Sequence, residues 1–142
     1  MLEINYIAVL VAVVANFILG FAWYTPIFGK TWAKEMGYDP DEKPDPKIMM
    51  KGMLFMVIGN FLLAYVLAHN IGAWSYVPGM EDMTSGMNVV MTALFTWLGF
   101  YLPGELGSTV WEKKSWKLFG INTSYHFLSL IVVAACVIFW PA

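Results

Sequence analysis

Four long runs of the sequence carry almost no charge, at roughly 4–25, 50–70, 86–104 and 117–140. A helix needs about 20 residues to cross the hydrocarbon of a bilayer. Backbone groups there find no water, so continuous runs of this length read as helices and not as barrel strands. The third run is the weakest: Asn88, Thr92 and Thr96 dilute it and Pro103 interrupts its end. Composition leads the same way, with 59% apolar and 13% charged residues, against about 25% charged in soluble domains. Mean hydropathy is +0.63. No core of 142 residues could hide so much apolar surface, so the expected solvent is lipid. The expected fold is all-α: a single domain over 1–142, built as an antiparallel bundle of four transmembrane helices. Its connections would be about 26–49 and 105–116. With Glu3 where a signal peptide carries lysine, and no small-residue cleavage site, the first run reads as a span.

The lysines set an expected orientation. Lys30, Lys34, Lys43, Lys47 and Lys51 lie in or beside the first connection, and Lys113, Lys114 and Lys117 in or beside the third. The second, residues 71–85, has no lysine and carries Glu81 and Asp82. Positive residues stay inside, so connections one and three are expected in the cytoplasm and both chain ends outside, in a plasma membrane. Net charge is −2 with no arginine, which argues against nucleic acid and against bidentate phosphate recognition. Cys136, the single cysteine, forms no disulfide or metal cluster by itself.

"GFAWYTPIFGKTW", Gly20 to Trp32, reads as an anchored exit from the first span. Trp23 and Tyr24 suit the headgroup level. Thr25 and Pro26 read as the N-cap and first residue of a short cytoplasmic interfacial helix, from Pro26 to about Met36, stopped by Gly37. Trp32 would dip into the interface while Lys30 faces headgroups. The alternative is contact with a substrate. Asp39 to Lys47 reads as a charged linker: Lys43 and Met50 stand where a calcium loop needs ligands and no glycine takes the sixth place. Asp45 and Pro46 read as the N-cap and first residue of the second membrane helix.

Residues four apart share a helix face. The first run places Ala8, Ala12, Asn16 and Gly20 on one seam, and the second Gly52, Met56, Asn60, Ala64 and Ala68. The third offers Asn88, Thr92 and Thr96, and the fourth Asn122 and His126 with Ser129. Asn16, Asn60, Thr96 and His126 fall at one depth, so one buried polar layer or pathway, with Asn122 nearby, is expected. His126, ionisable and deep in a span, is a functional candidate. Its bland partner is an amide or Tyr125; a metal finds no second ligand one turn away. Glu105 is expected to pair with Lys113, Lys114 or Lys117, with the lining of an entrance as the alternative, and Glu112 to sit in the solvated connection.

To the pattern of Gly20, Trp23, Tyr24, Pro26, Phe28, Gly29, Lys30 and Trp32 a later stretch adds a second, different string, "WEKKSWKLFGINTSYHFL", which begins with Trp111 and Glu112. Together they resemble a family of small membrane proteins of unknown function, the domain-of-unknown-function family numbered 1761. The resemblance covers most of the chain and implies a four-helix integral membrane protein of bacterial type, with no reaction and no catalytic residues attached. "GFAWYTPIFGKTW" also echoes "GFYLPGELGSTVW", from Gly99 to Trp111, as two hairpins of a repeat would.

No nucleophile elbow, phosphate loop, zinc helix or paired intramembrane carboxylate is present. No cofactor is implied. The reading is a non-enzymatic scaffold or assembly factor, a homo-oligomer whose partners are membrane lipids, its own copies and other membrane proteins. The rival is a small transporter or channel with an oligomeric pathway lined by the polar layer. The orientation is testable: a cysteine introduced at Ser75 should react with an impermeant thiol reagent from outside intact cells, and one at Asp41 should not. The reverse pattern refutes it.

Overall fold

The computed structural model describes residues 3–140, and the described residues form helices and connections without a strand. The α-helices are α1 (Tyr6–Ala22), α2 (Gly29–Glu35), α3 (Pro46–Trp74), α4 (Ser85–Thr96), α5 (Leu102–Trp111) and α6 (Trp116–Phe139). Single π turns, Trp23–Ile27 and Trp97–Tyr101, follow α1 and join α4 to α5. Four helical stretches, Tyr6–Ile27, Pro46–Trp74, Ser85–Trp111 and Trp116–Phe139, are long and apolar enough to cross a membrane.

Helix starts follow local capping chemistry, in which a side-chain oxygen takes an otherwise orphaned N–H. Asn5 accepts from Ile7 and Ala8, Thr84 from Met87 and Ser115 from Leu118. Asp45 accepts from the Lys47 N–H at 2.8 Å, with Pro46 first in the helix, as its sequence predicts. The connections are shorter than expected. α3 begins before residue 50, and the third connection shrinks to 112–115 because the helix runs on through Pro103 to Trp111. The π turn just before it, in which the Leu102 N–H donates to the Trp97 carbonyl, lets the helix accommodate Pro103.

The exit after α1 differs from the expected N-cap at Thr25. The helix widens instead: the Phe28 N–H donates five residues back to Trp23 at 2.8 Å. A proline inside an α-helix removes a donor and crowds the carbonyl one turn back. The wider turn relieves Pro26 of both demands, and the break falls at Phe28, with α2 starting at Gly29. α2 ends as predicted at Gly37, whose φ is +81°. Gly37 donates to Lys34 and Tyr38 to Ala33, the paired closure that glycine permits after a helix.

α6 is the hub. It packs against α1, α3 and α4, and α5 and α2 also touch it; α1 also packs on α3. Ala8, Ala12, Asn16 and Gly20 are all buried, the predicted seam of α1, as are Asn60, Ala64 and Ala68 of α3. Small residues allow this approach. The expected seam of α4 is corrected: Val89 and Ala93 are its buried residues, while Thr92 and Thr96 look into a cleft beside α3. Packing on α6 selects the apolar face. Gly29 is fixed by space, since a Cβ there would stand 2.7 Å from the Tyr24 carbonyl oxygen. Gly29→Ala should destabilise the protein by about 1–3 kcal/mol in denaturant titrations in mild detergent; an unchanged midpoint would contradict this close approach.

Candidate functional site

The two motif strings meet in the folded chain. The Trp23 indole donates to the Ile121 carbonyl at 3.0 Å, and the Tyr24 hydroxyl to Asn122 Oδ1 at 2.9 Å. Tyr24 also stands edge-on to Tyr125, with centroids 5.0 Å apart. Gly20 makes room: a Cβ there would meet the Met56 methyl and the Tyr125 hydroxyl. Phe28 folds back on Trp23, and Trp32 packs between Tyr24 and Tyr38. Pro26 sits in the π turn and Lys30 is exposed on α2. The N-terminal motif is thus a clasp that closes on the first half of α6.

The second π turn repeats one element of that device. Trp97 opens it, and its indole donates to the Thr123 carbonyl at 3.0 Å. Helical residues two apart point about 200° from each other, so the two tryptophans reach α6 from nearly opposite sides. Each carbonyl has a second lone pair to offer. The likeness of the two stretches therefore pairs Trp23 with Trp97 and not Gly20 with Gly99.

The expected polar layer is divided into separate contacts. Asn16 donates through Nδ2 to Asn60 Oδ1 at 2.8 Å, both buried. Among the described residues, Asn16 Oδ1 and Asn60 Nδ2 have no partner, nor has Thr123 Oγ1. A buried orphan costs about 1–3 kcal/mol, so the amide pair fixes the register of α1 on α3 more than it adds stability. Asn122 belongs to the clasp. Thr96 lines the α3–α4 cleft, away from the amide pair.

His126 pairs with Glu105, its Nε2 3.3 Å from Oε1, and both side chains are half-buried. The expected lysine partners of Glu105 are corrected. Because α5 continues past Pro103, Glu105 stays on a helix and faces α6. Side chains lean toward their helix N-termini, which brings the two groups together from their different levels. The Tyr101 and Tyr125 rings flank the imidazole at 4.6 and 5.5 Å. Lys114 pairs with Glu112 at 2.9 Å, and this bond holds its amine above the usual lysine range. Trp111 is exposed and joins neither contact.

Sequence reasoning missed the Glu105–His126 pair and the role of Trp97. Pairing between helices has no fixed spacing, but the tryptophan shortly before a proline, present at both π turns, was a usable signal.

Fold and site define a small helical protein whose described residues include four membrane-length helices, three of them packed on the fourth, α6. The chain belongs to the family described as protein of unknown function (DUF1761), which matches residues 7–138. No curated protein and no solved structure matches it.

His126→Leu should cost about 1–3 kcal/mol by leaving the Glu105 carboxylate without its partner. A double-mutant cycle with Glu105→Leu should recover part of that loss. Strict additivity would mean that the two side chains do not interact.

Proposed function

We propose that the protein is an integral membrane protein, an antiparallel four-helix bundle that works by association with its own copies and not by catalysis. The carrying observation concerns Ser85–Trp111. It is the least apolar of the four long helices and also has the smallest share of its residues buried. α4 leans on α6 and makes no comparable contact with α1 or α3. On α5 beyond it, Gly104 and Gly107 leave open space for another helix, which small residues let approach closely. A scaffold or assembly role for other membrane components fits a chain whose conspicuous chemistry serves packing. The lysine-bearing connections leave from the end of the bundle where the clasp meets α6, which supports the cytoplasmic placement of that end.

The Glu105–His126 pair favours a second reading, transport. A carboxylate and an imidazole inside membrane-length helices are costly unless used, and an assembly of copies could pass a proton or small ion along them. The sequence offered no paired intramembrane carboxylate; the fold gives this one carboxylate a histidine.

Light scattering in mild detergent should give a protein mass of at least two chains, and Gly107→Trp should shift it toward one. A monomer at every concentration refutes association through this flank. In liposomes, proton flux present in the wild type and absent in Glu105→Gln would favour transport; no flux in either favours the scaffold.

A further inference from the structure

A cleft of about 620 Å³ lies between α3 and α4, toward the ends joined by residues 75–84. We propose that it binds one acyl chain of a glycerolipid, with the ester carbonyls at Asn70 and Asn88. This rests on the membrane placement above but not on self-association or transport.

The lining is ordered along the helices. Asn88 lies three residues into α4 and Asn70 four residues before the end of α3. At 1.5 Å per residue the two amides sit about 4.5 and 6 Å from their helix ends. The headgroup layers add roughly 5–7 Å on each side of a 30 Å hydrocarbon core, so this is the level of the ester groups. Thr92 donates to Asn88 Oδ1 at 3.1 Å. With its Oδ1 engaged by Thr92, half-buried Asn88 offers its amide N–H groups as donors for a carbonyl acceptor. Below the amides the wall is Met91, Phe95 and Phe100 with Thr92 and Thr96 among them, a mainly apolar surface that a hydrocarbon chain can follow. Methionines adapt to a flexible chain.

The cleft suits an acyl chain better than a second copy. Met80 and Met83, from the connection between α3 and α4, roof its outer end. A membrane helix about 10 Å across must run past that end, whereas a single chain enters from the side. The volume is that of a small-molecule site, about 300–1,000 Å³. Glu81 and Asp82 beside the roof make a neutral ester a better head than a free carboxylate.

The test uses the full chain in phosphatidylcholine vesicles with a trace of phosphatidylcholine bearing a diazirine on one acyl chain. A parallel arm uses diazirine-tagged palmitate. Adducts should concentrate on residues 91–100 and the end of α3. Thr92→Trp, which fills the cleft, should remove them. Asn88→Ala should reduce them roughly three- to tenfold, the loss of one hydrogen bond. Labelling of the exposed α1 face at Leu10 and Val14 should be the same in all forms. If Thr92→Trp loses helix content by circular dichroism, Asn88→Ala decides alone. Cleft labelling no stronger than the α1 face, or unchanged in the variants, overturns the proposal. Stronger labelling by palmitate overturns the ester head. A disulfide between copies through Met91→Cys means that a second copy fills the cleft, which also overturns it. Absence of label even on α1 removes the membrane placement itself.

Discussion

Two indole hydrogen bonds govern this fold. Trp23 and Trp97 donate to the Ile121 and Thr123 carbonyls of α6 from nearly opposite sides. A helix in hydrocarbon satisfies its own backbone, so nothing in that backbone selects one neighbour over another. Packing of small residues brings helices together, but Ala8, Ala12, Ala64 and Ala68 would tolerate some sliding. An indole N–H aimed at one named carbonyl does not. α1 and α4 are each fixed in level on α6, and α3 is then fixed on α1 by the Asn16–Asn60 amides.

The π turns make the donors available. Each opens at its tryptophan, with a proline inside or just beyond it. The widened turn removes the conflict between proline and the preceding carbonyl. In the first, the close approach of Gly29 to the Tyr24 carbonyl lets the chain turn into α2. Tyr24 then meets Asn122, and α2 carries Trp32 back over Tyr24. Local backbone chemistry and the long-range contact are one device. Glu105 depends on it too, since a helix that ended at Pro103 would never bring the carboxylate to His126.

Much of this was legible in the sequence. The four long runs, the alanine seam of α1, the Asp45–Pro46 start and the Gly37 stop rest on periodicity and capping, which act over a few residues. The two strings that marked the family were visible as strings, but their mutual contact was not, because Trp23 and Ile121 are brought together only by the fold. The polar stripe of α4 was misread for a related reason: Thr92 and Thr96 resemble an inward seam until Val89 and Ala93 take the place against α6. Thr25 was assigned a cap because proline ordinarily begins a helix, and the sequence does not show that the preceding helix widens around it.

A rigid hub built on α6 leaves the outer flank of α4 and α5 and the α3–α4 cleft free of the packing that holds the bundle. The hub is measured most directly by hydrogen exchange at the indole nitrogens, resolved by ¹⁵N NMR of the protein in bicelles. The indole protons of Trp23 and Trp97 should be among the slowest of the seven tryptophans to exchange, and those of exposed Trp111 and Trp116 among the fastest. Exchange at Trp23 and Trp97 as fast as at Trp111 would contradict the account.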